Sequence, residues 1–305
     1  MAEKVRVAVG DRELTLTNLG KVLYPGHGFT KAEVIDYYSR IAPVMLPHLR
    51  GRPLTVKRYP EGVGAPFFFE KNRPGHTPSW VRTARLPAPG STKNRDTIDF
   101  AVVDDLPTLV YFAGLAALEF HTPMWRVDPA GRPLPPDIMV FDLDPGAPAT
   151  ITECCRVAVH LREVLRDHGM EGFPKTSGNK GMQVYVPWTG RAEDPSDVAR
   201  AVAELLAGLR PDQIVSKMAK RLRPGKVFID WSQNNPAKTT VTPYSLRANP
   251  APTVSTPITW AEVEACEDPR ELVFTPDDVL GRVAEHGDLL APSAVPQRGA
   301  AREGP

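Results

Sequence analysis

The sequence predicts an α+β fold, and three observations carry that expectation. The first half sets short apolar strands around one long amphipathic helix. The second half alternates strands and helices more regularly. Thirty-three prolines among 305 residues punctuate the chain into short elements.

Val5 to Leu16 alternates as a hairpin does, and Thr30-Lys31-Ala32-Glu33 has the form of a capping box opening a helix through about Met45. Leu54–Tyr59, Ala65–Phe69 and Ile98–Val103 read as strands, and Leu106–Phe120 as a helix. A loop rich in Pro and Gly, Asp128–Pro136, then divides the chain. Beyond it the pattern gives strand 138–142, helix 152–168, strand 182–187, helices 195–208 and 211–221, and strands 226–230 and 239–243. Thr150 or Thr152 can cap the first of these helices, and Asp194-Pro195 opens the second. From Ala291 the composition loses periodicity and reads as a disordered tail over 291–305.

Hydrophobic content of 42% and charged content of 24% are those of an ordinary globular protein. No apolar stretch is long enough to span a bilayer, and Met1-Ala2-Glu3-Lys4-Val5 opens no signal peptide, so no membrane partner is expected. Cys154, Cys155 and Cys266 match no zinc spacing and no disulfide framework, which points to a reducing, cytoplasmic setting. Net charge is only +1, but Lys217, Lys220, Arg221, Arg223 and Lys226 crowd one stretch while 262–278 is mostly acidic. The basic stretch is either a phosphate-holding strip or a solvated helix face.

Ile138-Met139-Val140-Phe141-Asp142-Leu143-Asp144-Pro145-Gly146 is an apolar strand that ends in two aspartates one residue apart. Side chains alternate along a strand, so Asp142 and Asp144 share a face while Leu143 points to the core. Two carboxylates so close repel unless a cation lies between them, and Mg²⁺ or Mn²⁺ suits such an oxygen-rich site. Asp-x-Asp also occurs in solvated turns, so the pair alone leaves both readings open. Val227-Phe228-Ile229-Asp230-Trp231 repeats the logic and supplies a third carboxylate.

The loop from Lys175 through Ser177, Gly178, Lys180 and Gly181 enters another apolar strand. Its glycines admit close backbone approach, and its hydroxyls, amides and Lys180 suit phosphate, although many Ser-Gly loops are only turns. The segment Gln233–Thr239 and the run Pro243–Arg247 are dense in hydrogen-bond donors, as for a polar ligand or a solvated loop.

Phe141-Asp142-Leu143-Asp144-Pro145, Thr176-Ser177-Gly178-Asn179-Lys180-Gly181, Phe228-Ile229-Asp230-Trp231-Ser232-Gln233-Asn234, Lys238-Thr239 and Tyr244-Ser245-Leu246-Arg247 follow in this order. Upstream stand Asn18-Leu19-Gly20-Lys21-Val22-Leu23-Tyr24-Pro25, Thr30-Lys31, Lys57-Arg58-Tyr59-Pro60 and Phe67-Phe68-Phe69-Glu70-Lys71-Asn72. Together they resemble the polymerase domain of bacterial ATP-dependent ligase D, of the archaeo-eukaryotic primase superfamily, over roughly residues 10 to 285.

The resemblance implies a primase-polymerase fold with two mixed β-sheets flanked by helices and an RRM-like catalytic half. It implies one domain over 1–290, with an N-terminal module to about 135 and a catalytic module from 136. The implied activity is template-directed nucleotidyl transfer that fills gaps or extends ends in double-strand-break repair, with ribonucleotides and Mn²⁺ favoured. Asp142, Asp144 and Asp230 would hold two Mn²⁺ or Mg²⁺ ions. Lys57, Ser177, Gly178, Lys180, Gln183, Gln233 and Arg247 match nucleotide-binding positions. Lys21 and Lys31, with Asn18 beside them, match the pair that receives the 5′-phosphate across a gap, and Phe67 or Phe68 matches an aromatic that stacks on a template base.

The implied partners are gapped or broken DNA with a 5′-phosphate, NTP or dNTP, a Ku-like protein and a separate ATP-dependent DNA ligase, since no ligase module fits after Ala291.

Gln183 departs from the superfamily, which usually has histidine there; glutamine keeps a donor but cannot become cationic. That puts catalytic rate and nucleotide preference in question, and leaves a catalytically weak or inactive DNA-end-binding module as the alternative. Retention of all three aspartates argues for an enzyme. His121 reads either as a residue of the active cleft or as a satisfied core histidine. A phosphatase of the haloacid dehalogenase type also uses Asp-x-Asp after a strand, but Pro145 follows here and no later Gly-Asp-x-x-x-Asp occurs.

Overall fold

The structure, a computed structural model, describes residues 4–88 and 96–294. Helix Lys31–Leu49 starts where the sequence places it: Thr30 and Glu33 close the capping box in both directions. Val34, Tyr38, Ile41, Met45 and Leu49 form its buried stripe and carry it past the expected end, through Pro43 and Pro47. The hairpin of Lys4–Val9 with Arg12–Thr17 is also present.

Five strands form the larger sheet, in the order Phe173–Thr176, Met182–Pro187, Ile138–Pro145, Val227–Asp230 and Ile214–Val215. The first four run antiparallel to their neighbours. With helices Ile151–Asp167 and Pro195–Leu209 between them, they trace a split β-α-β-β-α-β path. This is the RRM-like half expected.

Alternation along Ile138–Pro145 divides its residues cleanly. Met139, Phe141 and Leu143 join the main core with Val157, Leu161, Val202 and Leu206 of the two helices. Ile138 and Val140 pack on the other face with Met124 and Tyr185, and Asp142 and Asp144 continue that face toward its open end.

A second, antiparallel sheet runs Thr240–Val241, Ala117–Thr122, Thr55–Arg58 and Phe68–Glu70. Its first strand comes from late in the chain, so the two halves interleave. Buried Arg52 ties them further through Asp137 at 2.7 Å and the Pro123 carbonyl at 3.1 Å.

Several expected elements differ. The helix expected over 106–120 ends at Gly114; Ala116 turns at φ 58° and Ala117–Thr122 becomes a buried strand. An apolar run with no polar stripe has no period to separate helix from strand. The helix expected over 211–221 is a turn, the edge strand Ile214–Val215 and a 3₁₀ turn at Lys220–Leu222. The strand expected at 65–69 covers Phe68–Glu70 alone. Part of the Asp128–Pro136 loop pairs as strand Pro133–Pro136 with Trp125–Val127. At the expected tail, Ala291–Ala294 forms a short helix with Ser293 buried, and 295–305 lies outside the described residues. Among those residues no helix is long and apolar enough to cross a membrane.

Candidate active site

Strand register sets the site. Asp142 is paired with Gln183 on one side and with Asp230 on the other, and Gln183 is in turn paired with Lys175. Four adjacent strands therefore place Lys175, Gln183, Asp142 and Asp230 in one transverse row. Asp144 lies two residues along the same face. Asp230 is buried, Asp142 half-buried and Asp144 exposed, so the acidic face opens toward solvent in that order.

Each inner carboxylate is turned onto protein donors. Gln183 Nε2 donates to Asp142 Oδ1 at 3.1 Å. Ser232 donates its backbone N–H to Asp230 Oδ1 at 3.0 Å, and Gln233 Nε2 donates to Asp230 Oδ2 at 3.0 Å. Lys238 Nζ lies 3.9 Å from Asp230 and also hydrogen-bonds Ser232 Oγ. Burial, reinforced by the charges of Asp144 and Asp230, pushes Asp142 up to about 7. Asp144, although solvent reaches it, is raised by the partial desolvation of its position first and then by Asp230.

Among the described residues, no group of three His, Cys, Asp or Glu side chains is arranged to hold a metal ion. The trio is open and mutually repelling, a donor set that suits hard divalent cations. The buried, unpartnered Oε1 of Gln183 adds a neutral oxygen beside it. By their donor chemistry, these residues suit the expected divalent ions. Gln183, which matches a nucleotide-binding position, thus donates to one of the carboxylates expected to hold an ion. Gln233, another position that matches nucleotide binding, donates to Asp230.

The loop after Thr176 is fixed by two close approaches. Ser177 Oγ accepts the N–H groups of Asn179 and Gly181, each at 3.2 Å. A side chain at Gly181 would collide with the Leu143 carbonyl, so only glycine lets the loop lie against the backbone between the two aspartates. Gly178, at φ 70°, leaves no room for a Cβ beside Arg247 Cγ and the Ser255 amide. Arg247 thereby packs against the loop carrying Ser177, Gly178 and Lys180.

Lys57 and Arg247 meet at a residue the sequence reading missed. Glu119 is 2% exposed and lies 3.4 Å from Lys57 Nζ, 3.7 Å from Arg247 Nε and 2.9 Å from His121 Nε2. Burial alone would raise its carboxyl, but the His121 hydrogen bond and the Arg247 and Lys57 charges hold it down at about 2. Burial lowers His121 below the usual imidazole range despite Glu119. His121 belongs to this cluster rather than to the apolar core. Leu118-Glu119-Phe120-His121 does alternate, which puts Glu119 and His121 on one face, but a partner on a neighbouring strand is invisible to spacing.

Lys57 Nζ also sits 4.4 Å from the ring centre of Phe67, which stacks on Tyr59 at 5.1 Å. Phe68 lies over the Arg58 guanidinium at 5.1 Å. Phe67, Phe68 and Phe69 remain exposed. Phe68 and Phe69 line a cavity of about 1050 Å³ with Trp125, Leu134 and Pro236.

Asn18, Lys21 and Lys31 come together apart from the aspartates. The amide of Lys31 bonds the Lys21 carbonyl at 2.8 Å, and that of Lys21 the Asn18 carbonyl at 3.0 Å. Lys21 pairs with Glu61 at 2.7 Å, while buried Lys31 donates to the Thr17 carbonyl at 2.7 Å. Asn234, in the donor-rich segment, meets backbone rather than ligand: it exchanges hydrogen bonds with the N–H and carbonyl of Val140, both at 2.8 Å.

Residues 30–290 match the family described as LigD, primase-polymerase domain. The chain belongs to this family. Its motifs therefore carried the resemblance correctly. It is 46% identical over 279 residues to the multifunctional non-homologous end joining protein LigD of Mycolicibacterium smegmatis, covering 91% of this chain and 35% of that protein. Over 278 residues it is 31% identical to the bifunctional LigD of Bacillus subtilis, covering 90% of this chain and 43% of that protein. The polymerase domain from Mycobacterium tuberculosis Ligase D in complex with DNA matches with a TM-score of 0.86 and 42% identity, over 92% of this chain and 98% of that one. The chain thus spans well under half the length of these curated relatives. The primase-polymerase fold is as expected, and nucleotidyl transfer is the class of chemistry this LigD family carries.

Proposed function

We propose that the chain is a template-directed nucleotidyltransferase that extends or fills broken and gapped DNA ends in double-strand-break repair. The observation that carries this reading is the row Gln183–Asp142–Asp230, with Asp144 beyond it, on the open face of the five-stranded sheet. Asp142, Asp144 and Asp230 would hold two divalent cations, Mn²⁺ or Mg²⁺. Such ions lower the pKa of an attacking primer hydroxyl and stabilise charge on a leaving pyrophosphate.

The protein's own groups do the rest. Ser177, Lys180, Lys57 and Arg247 bind and orient the triphosphate, with Gly178 and Gly181 seating their loop against Arg247 and Leu143. Gln183 and Gln233 aim the carboxylates of Asp142 and Asp230. Exposed Phe68 offers a face to a template base, and Lys21, Lys31 and Asn18 receive a 5′-phosphate. Ribonucleotides and Mn²⁺ are the favoured substrate and ion. A Ku-like protein and a separate ATP-dependent ligase would complete the repair.

The test is extension of a gapped, 5′-phosphorylated duplex with ribonucleotides and deoxyribonucleotides, in Mn²⁺ and in Mg²⁺. Addition by the wild type, abolished by Asp142→Ala with Asp144→Ala, is the expected result. A wild type that binds the gap and adds nothing in either ion would sink the enzyme reading in favour of an end-binding module.

A further inference from the structure

We propose that Glu119 is a positioning residue for the nucleotide, a single buried carboxylate that holds Lys57, His121 and Arg247 in register as one clamp for the triphosphate. This rests on the reading of Lys57 and Arg247 as nucleotide contacts.

The geometry assigns the role. Glu119 stands directly opposite Lys57 on the neighbouring strand, so register delivers the Lys57 ammonium to Oε1. His121 is two residues further along the same strand and face, and its Nε2 meets the other oxygen, Oε2. The Ala248 amide donates to Oε1 at 3.1 Å, which anchors the residue next to Arg247. Arg247 Nε lies 3.7 Å from that same oxygen and is buried without a hydrogen-bond partner. One carboxylate thus faces a strand on each side of it in the fold.

The clamp is stiff as well as cationic. Lys57 is held between Glu119 and the rings of Tyr59, Phe67 and Phe69, with ring centres 5.5, 4.4 and 5.5 Å from Nζ. The Arg247 stem lies against Gly178, and the Gly178 carbonyl accepts from Asn249 Nδ2 and Thr253 Oγ1 at 2.8 and 2.6 Å. Two like charges half-buried together repel, and a third on His121 would add to this. A fixed anion among them cancels that repulsion before any ligand arrives. The cations then keep one geometry, and the ligand does not bear the cost of ordering them.

A second effect opposes this one, and the two differ in sign. Removing the Glu119 charge makes the pocket more positive, so a clamp that stayed in place would bind triphosphate more tightly. A clamp that Glu119 positions would come apart and bind it more weakly. Glu119→Gln separates them, because glutamine keeps the shape and loses the charge.

The experiment compares wild type and Glu119→Gln in three ways: nucleotide KM and kcat in gap extension, equilibrium titration with a fluorescent ATP analogue in Mn²⁺, and NMR titration of His121. The expected result is a KM rise of about ten-fold with kcat and gapped-DNA affinity little changed, the signature of lost ground-state positioning. ATP binding weakens in step, and His121 titrates at lower pH than in the wild type because its anionic partner is gone. Unchanged or tighter ATP binding overturns the proposal. So does an unmoved His121 titration. Wild type that binds no ATP at all overturns the reading of Lys57 and Arg247 beneath it, which the first two outcomes leave standing. Should Glu119→Gln not fold, Glu119→Asp retains the charge but draws it back, and must raise KM in the same direction with kcat preserved.

Discussion

Asp142 and Asp230 face each other directly across two antiparallel strands, with Gln183 flanking Asp142 on the opposite side. Antiparallel register leaves such a pair no freedom to separate without breaking the ladder. The repulsion is therefore built into the sheet, and it adds to the burial and the Asp144 charge that together raise Asp142 to about 7.

That rise makes stability depend on pH and on cations. Folded Asp142 keeps a proton that its unfolded counterpart sheds near the ordinary carboxylate value of about 4. Metal-free protein consequently loses stability as pH rises from about 4 to about 7, and the loss on this account is complete above that window. Thermal melts in EDTA at about pH 8 should show Asp142→Asn more stable than wild type, and Mn²⁺ should raise the wild-type midpoint far more than the variant's. Equal gains on adding Mn²⁺ would show that Asp142 holds no ion.

How much of this was legible beforehand follows from where the information lies. Asp142, Asp144 and Asp230 were readable because each ends an apolar strand, a local signal. So was helix Lys31–Leu49, whose capping box is written in four consecutive residues. Glu119 was not, since its meaning lies in Lys57 on the next strand and Arg247 far along the chain. The same holds for Gln183: sequence gives the residue, and only register puts it against Asp142. The start of strand Ala117–Thr122 was hidden because the apolar run before it has no period, and the alternation of Leu118, Glu119, Phe120 and His121 is too short to mark a strand by itself.

Gly181 makes a steric prediction. Its missing side chain is what seats the loop proposed to bind phosphate against the Leu143 carbonyl, so Gly181→Ala must displace either the loop or the strand. We expect a stability loss of about 1–3 kcal/mol by denaturant titration, together with weaker nucleotide binding. Gly208→Ala is the control: it lies in helix Pro195–Leu209 with open space around it, and should gain about 0.5–1 kcal/mol. Gly181→Ala with wild-type stability and nucleotide KM would remove the close approach from the account.

Gln183→His should make cation binding depend on pH. An imidazole beside Asp142 is cationic below its ordinary pKa of about 6.5 and would then compete with a metal ion for the carboxylate. Mn²⁺ titration followed by electron paramagnetic resonance should give weaker binding than wild type near pH 6 and similar binding near pH 8. A constant ratio between the two proteins across that range would place residue 183 away from the ion.

Lys21 and Lys31 are expected to separate phosphate recognition from fold. Lys21 is partly exposed and pairs with exposed Glu61, an interaction of the kind that contributes about 0–1 kcal/mol. Lys31 is buried against the Thr17 carbonyl, and burial, with Lys21 and Arg58 nearby, lowers its pKa. Lys21→Ala should therefore erase the preference for a 5′-phosphorylated gap over an unphosphorylated one while leaving the melting midpoint nearly unchanged. Lys31→Ala should erase the same preference and also lower the midpoint, because the Thr17 carbonyl loses its donor. Binding of both gapped duplexes, measured by fluorescence anisotropy beside thermal melts, reads the two effects apart. If either variant weakened both duplexes equally, the lysines would be general backbone contacts, and the 5′-phosphate would have to be recognised elsewhere.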